Sequence, residues 1–284
     1  MGVVVNNSAR RIATIAASLS FLGSLTIGAS AQRTKLENVE LCNGVTTKPI
    51  ELQLGGCTAL IESGLENPPT LVVAYNNRGN TRVRRGEYDL AIQDYNEALK
   101  LYPDYAKTLN NRGIAYQKKG EYDLAIADFN NAIGVDPEYS VAFASRAQTY
   151  ERKNDFHRAT RDLDEAIRLQ PGRAIFWSER CWTRSVTGDL RAAMSDCDQA
   201  INLDPTVADA YDSRGFTRLK LGQWDPALTD FDKALELNPK LATALYGRGY
   251  AKLKKRDPSG DADVADARSL NPSIGNEFDR YGLH

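Results

Sequence analysis

The chain has little of what chemistry usually requires. Two histidines, four cysteines and two methionines leave few metal ligands or nucleophiles among its 284 residues. It has no G-x-x-x-x-G-K phosphate loop, no G-x-S-x-G elbow, no H-E-x-x-H and no C-x-x-C. His157 falls at the start of a predicted helix, where a solvated side chain is expected, and His284 is the last residue. Carboxylates abound but fall in repeating columns, so no glycosidase-like pair stands out. The sequence therefore offers no catalytic site, no metal site and no cofactor site, and it argues against an enzyme.

An excess of one charge is also missing. With 36 basic and 37 acidic side chains the formal net charge is −1, which gives no reason to expect nucleic acid or an anionic membrane surface as a partner. Nor is there a hydrophobic run long enough to span a bilayer. The longest, from Ile12 to Ile27, is 16 residues, short of the roughly 20 that a transmembrane helix needs. Arg10 and Arg11 precede it and Ala29-Ser30-Ala31 follows, the order of a cleaved export signal over residues 1–31. Ile12-Ala13-Thr14 fits a twin-arginine signal poorly, so the general secretory route is expected, with the membrane met only during export. The mature protein is then periplasmic or secreted. In such a compartment an even cysteine count favours disulfides.

Repetition is what the chain has in abundance. Residues 75–105, YNNRGNTRVRRGEYDLAIQDYNEALKLYPDY, return as LNNRGIAYQKKGEYDLAIADFNNAIGVDPEY at an offset of 34. The same offset carries Arg78 through Arg112, Arg146, Arg180 and Arg214 to Arg248, and Pro103 through Pro137, Pro171 and Pro205 to Pro239. Pro272 follows after 33, one residue short. Alanines form two further columns, from Ala91 to Ala227 and from Ala98 to Ala234. Six copies therefore run over residues 72–272. Apolar residues keep helical spacing on both sides of a turn such as Arg85-Gly86, and the proline stops the second helix, so each copy is a helical hairpin.

The period, an aromatic opening the first helix (Tyr75, Phe143, Trp177, Tyr211), a small residue four positions on (Gly79, Gly113, Gly215, Gly249), the alanines and the proline resemble the tetratricopeptide repeat. CTALIESG followed by AYNNRG is also similar to the opening of exported bacterial proteins of this type. The resemblance implies an all-α fold, a right-handed superhelical solenoid of six hairpins. Residues 32–71 are expected to supply a linker and, over 52–64, an N-terminal capping helix, and residues 273–284 a C-terminal cap or tail.

One column departs from the family, because arginine stands before the small residue in all six copies. Sixteen residues later come Asp94, Asp128, Asp162, Asp196 and Asp230, with Asp263 at fifteen in the shortened copy. A ladder of Arg-Asp pairs is expected, within each hairpin or to the preceding one. Cys181 occupies the small-residue column and Cys197 the column of Tyr95, Phe129 and Phe231, two positions that should face each other. They are expected to form one disulfide, and Cys42 with Cys57 the other.

The use implied for such an array is to bind a peptide segment of another cell-envelope protein along a concave face lined by first helices. The column Trp182, Phe216 and Tyr250, widened by Leu219 and Leu253 and edged by Lys220 and Lys254, is expected to present an aromatic stripe there. Asn76, Asn80, Asn110 and Asn111 are candidates for bonding a peptide backbone. Asn80 and Asn111 match the asparagines with which some family members clamp a carboxylate terminus, but Asn76, Val141 and Ser145 stand where that clamp needs lysine and arginine. No preference for a free C-terminus is expected. The alternative is a self-associating array, or one whose groove holds its own C-terminal tail.

Overall fold

The computed structural model describes residues 34–44 and 49–283, and the export signal expected over 1–31 lies outside them. Among the described residues all regular structure is helical. A helix over residues 34–43, α1, precedes α2 (Ile50–Glu62). Hairpins follow as α3 (Pro68–Arg84) with α4 (Tyr88–Leu101), α5 (Ala106–Lys119) with α6 (Tyr122–Val135), and α7 (Ser140–Arg152) with α8 (Phe156–Leu169). The series continues with α9 (Ala174–Thr187) and α10 (Leu190–Leu203), α11 (Ala208–Lys220) and α12 (Trp224–Leu237), and α13 (Ala242–Lys254) and α14 (Gly260–Leu270), before α15 (Ile274–Arg280). The chain forms two compact units that divide after Ala115.

Local chemistry sets the helix ends. Asn67 caps α3 by accepting from the Thr70 backbone N–H, and Pro68 and Pro69 fill the first turn, where no donor is required. Each second helix ends two residues before its proline, which cannot continue it. The bend inside a hairpin needs one residue with positive φ. Gly86, Gly120, Gly188 and Gly222 supply it, but the same column holds Asn154 at 58° and Arg256 at 64°. Asparagine tolerates this conformation better than other side chains do, whereas arginine carries the full steric cost.

In the first unit, α1 corrects the expectation of a linker. Cys42 and Cys57 bridge α1 to α2, with Cα atoms 4.6 Å apart. At Gly56 a Cβ would come within 2.6 Å of the Leu41 Cβ, so only glycine lets the two helices approach so closely. Leu60 of α2 is buried against Ala74 of α3, which places α2 over the first hairpin.

In the second unit every hairpin packs its two helices together, and each first helix from α9 onward also packs against the second helix before it. α9, α11 and α13 lie side by side as one layer. The two alanine columns are fully buried, because helices this close leave no room for a larger side chain. Bulky residues instead meet glycine: a Cβ on Gly215 would approach the Phe231 ring to 2.8 Å. Cys181 and Cys197 hold the equivalent positions one repeat earlier and form a disulfide with Cα atoms 5.4 Å apart, so the expected small-to-bulky contact is replaced by a covalent one.

Five of the six expected Arg-Asp pairs lie within one unit, and all five form. Arg78 with Asp94, Arg146 with Asp162, Arg180 with Asp196, Arg214 with Asp230 and Arg248 with Asp263 approach to between 2.6 and 2.8 Å. The guanidinium also turns to the preceding repeat, so both alternatives occur at once. Its Nη1 donates to Asn130 from Arg146, to Asp164 from Arg180, to Asp198 from Arg214 and to Asp232 from Arg248. A second cation one turn on, unanticipated in the sequence, joins four of the aspartates: Arg82, Arg184, Arg218 and Lys252. Burial still raises the Asp94 and Asp230 carboxyls above the usual range, against the hydrogen bonds and charge of their arginines.

Candidate partner-binding face

The aromatic column of the last three repeats joins one apolar cluster of the second unit and is not an open stripe. Helix α15 folds back over it. Phe278 stands edge-on to Phe216 with ring centroids 5.4 Å apart, and Tyr246 closes on the other side of Phe278 at 4.6 Å. Tyr281 reaches Trp182 and Phe216. Phe216 and Leu219 are consequently core residues, with 1% and 2% of their surface exposed, a correction to the expectation that they meet a partner. Trp182 packs tilted against Phe216, with ring centroids 4.7 Å apart, and remains partly accessible. Tyr250 is also half-buried, lying beside Trp224, and Leu253 is exposed. Lys220 spends its ammonium on the carbonyls of Ser185 and Val186.

Two of the asparagine candidates, Asn76 and Asn110, are corrected in the same way, while Asn80 and Asn111 stay partly accessible. Asn76 and Asn110 are buried. The Asn76 side-chain oxygen accepts from the Thr108 hydroxyl and from the Asn111 amide, and Asn80 accepts from the Tyr95 hydroxyl at 2.7 Å. The Asn76, Asn80 and Asn111 side chains thus tie α3 to its neighbours, which satisfies groups that burial would otherwise penalise, whereas the buried Asn110 side-chain oxygen has no hydrogen-bond partner. His157 is exposed, as expected.

Sequence reasoning missed a pocket of about 410 Å³ beside Trp182. It is lined by residues of α5, α7, α8, α9, α11, α13 and α15, among them five carboxylates: Glu151, Glu179, Asp209, Asp212 and Glu277. Four of them belong to different columns of the repeat and Glu277 lies on α15 beyond the last copy, so no periodic signal marks them. Lys118 and Arg152 are the bases in the wall. Neutral donors serve four of the acids, with Thr183 donating to Glu151, Gln148 to Glu179 and Thr243 to Asp212. Glu277 accepts from Asn271 and Ser273. The second carboxylate oxygen of Glu179 is buried with no hydrogen-bond partner.

That arrangement holds protons near neutrality. Burial pushes Glu151 and Asp212 up to about 7, the latter with help from Asp209. It pushes Glu179 up to about 8, where repulsion from Glu151 and Asp209 outweighs the pull of Arg173.

Comparison with known proteins bears on the hairpins that build this face. A family profile described as TPR repeat matches residues 79–120 and 217–255, and one described as tetratricopeptide repeat matches 106–139. The chain carries tetratricopeptide repeats. A tetratricopeptide repeat protein from Parabacteroides merdae, 19% identical, superimposes with a TM-score of 0.68 over 88% of this chain and 99% of its own. The Thermus thermophilus TPR protein TTC0263, 23% identical, gives 0.55 over 64% of this chain and 99% of its own. In the APC/C heterotetramer Cut9–Hcn1, a 14% identical chain gives 0.68 over 81% of this chain and 48% of its own. At such identities the likeness is one of TPR fold alone. No curated protein sequence matches the chain. The TPR fold suggests a protein–protein interaction scaffold. Among the described residues no helix is long and apolar enough to cross a membrane, and the two disulfides suit an oxidising compartment.

Proposed function

We propose that the protein is a non-enzymatic scaffold or adaptor of the bacterial cell envelope that binds a peptide segment of another envelope protein on the concave, first-helix face of its repeats. The observation that supports this reading is the pocket walled mainly by first helices of the second unit, open beside a partly accessible tryptophan. Tryptophan at the edge of a concavity suits an interaction hot spot, since its area is large and its ordering cost small. Trp182, Tyr250 and Leu253 are the accessible members of the expected stripe, and the buried Phe216 and Leu219 support them from below.

The seating of Phe278 and Tyr281 on Phe216 and Trp182 favours a second reading for part of this face. There the chain's own C-terminal helix is the occupant, and a partner meets only the pocket that remains. Affinity capture from envelope extract, with mass-spectrometric identification and light scattering of the purified protein, separates the two. Under the first reading a captured protein binds the full-length monomer and loses at least tenfold in affinity with Trp182→Ala. A dimer that persists, with no partner gained when residues 273–284 are removed, would leave only the structural role.

A further inference from the structure

This inference rests on the scaffold reading and names the chemistry of the segment bound. Elsewhere the protein neutralises its buried carboxylates. Asp94, Asp196, Asp230 and Asp263 each have two cations within 2.8 Å. The pocket beside Trp182 breaks that pattern. Among the described residues none of its five carboxylates forms an ion pair, although Lys118 and Arg152 stand in the same wall. Asp212 is 6% exposed and its named donor is a single hydroxyl. The Glu179 Oε2 atom is buried without a donor, an arrangement that costs free energy unless something arrives to bond it.

We propose that this pocket receives a cationic side chain, lysine or arginine, from the partner segment, with Glu179 and Asp212 as its principal acceptors and Trp182 covering its aliphatic stem. Among the described residues no three acidic, histidine or cysteine groups converge as a metal site would require, so the acids suit a long organic cation better than a metal ion. Trp182 lines the same pocket and offers an aromatic face to that stem or to the cation itself. The raised carboxyls fit the assignment, because an arriving cation favours their charged form and expels the protons that burial retains. The other charged groups in the wall are Glu151 and Arg152 on α7, Lys118 on α5, Asp209 on α11 and Glu277 on α15. They leave the balance negative when ionised.

The test uses the full-length protein and a blocked hexalysine peptide, with its fully Nε-acetylated form as the uncharged probe. Calorimetry at pH 7.5 and low salt, in two buffers of different ionisation enthalpy, should show hexalysine binding at least tenfold tighter than the acetylated peptide, with net proton release. Glu179→Gln with Asp212→Asn should weaken hexalysine at least tenfold. Asp123→Asn with Asp225→Asn, which neutralises exposed acids outside the pocket, should leave it unchanged. Thermal melts confirm that both variants fold, and the first removes buried charge that lacks a basic partner. Equal binding of the two peptides, binding unaltered by the pocket variant, or no hexalysine binding would each overturn the cation assignment. A partner captured from extract and lost with Trp182→Ala would still stand in any of these cases, so the scaffold reading fails separately.

Discussion

Tyr281 stands edge-on to Trp182, with ring centroids 5.5 Å apart and planes at 90°. The contact places the last helix on the fourth repeat rather than merely on the sixth. It converts the central ring of the column, Phe216, from a surface group into a core group.

Phe216→Ala is therefore expected to destabilise the protein by about 3–5 kcal/mol, as truncation of a buried phenylalanine does. Phe278→Ala should do much the same from the other side of the contact. Tyr281→Ala should instead leave most stability in place and shift tryptophan emission to the red as Trp182 meets water. A Phe216→Ala melting curve that overlays the wild type would show that α15 does not cover this ring in solution.

Arg146→Ala removes the ion-pair partner of Asp162, a residue only 7% exposed. Stranding a buried carboxylate costs about 3–5 kcal/mol. Adding Asp162→Ala should recover part of that loss, because the unpaired charge goes with it. An unchanged denaturation midpoint for Arg146→Ala would mean that the pair is solvated.

The pocket carboxyls make stability depend on pH in a definite direction. In the folded protein Glu151 and Asp212 titrate near 7 and Glu179 near 8, whereas unfolded carboxyls titrate near about 4. Between those values the folded state holds protons that the unfolded chain has released. Stability contributed by these groups thus falls as pH rises from about 4 to about 8 and is constant above. Glu179→Gln should raise the melting temperature more at pH 8 than at pH 5. Denaturant titrations across that range, giving parallel profiles for the two proteins, would contradict the assignment.

Arg256 holds the left-handed turn position that glycine fills in four other repeats, at φ 64° and on the surface. A side chain there costs roughly 1–2 kcal/mol, part of which glycine returns as unfolded-state entropy. Arg256→Gly should therefore stabilise the protein by up to about 1 kcal/mol in urea denaturation. A loss would indicate that the side chain makes a contact worth more than the strain.

The hairpins, the arginine ladder and the Cys181–Cys197 disulfide were legible because each is written as a column or as a pair in facing columns, whereas Cys42 and Cys57 could be paired only as the two cysteines that remain. Cys181 and Cys197 could be paired from sequence since Gly79 and Tyr95 mark the same two positions. α1 was not legible: ten residues make a marginal helix on their own, and it is the bridge to Cys57 and the glycine contact at Gly56 that hold it. The acidic pocket was hidden for a different reason. Four of its acids come from different columns and meet only when successive first helices are laid side by side, and the fifth, Glu277, comes from the non-repeating α15. The aromatic column was visible, but its fate depended on where a non-repeating tail would come to rest, and periodicity carries no information about that.

The two-way reach of the ladder arginines governs how the second unit comes apart. Arg180 grips Asp196 in its own repeat and Asp164 in the one before, and Arg214 and Arg248 do the same one and two repeats later. A hairpin that opens must therefore release a guanidinium owned by its successor as well as its own. Fraying from an end is penalised at every step, so these repeats should melt in one cooperative transition, with little population of partly unzipped arrays.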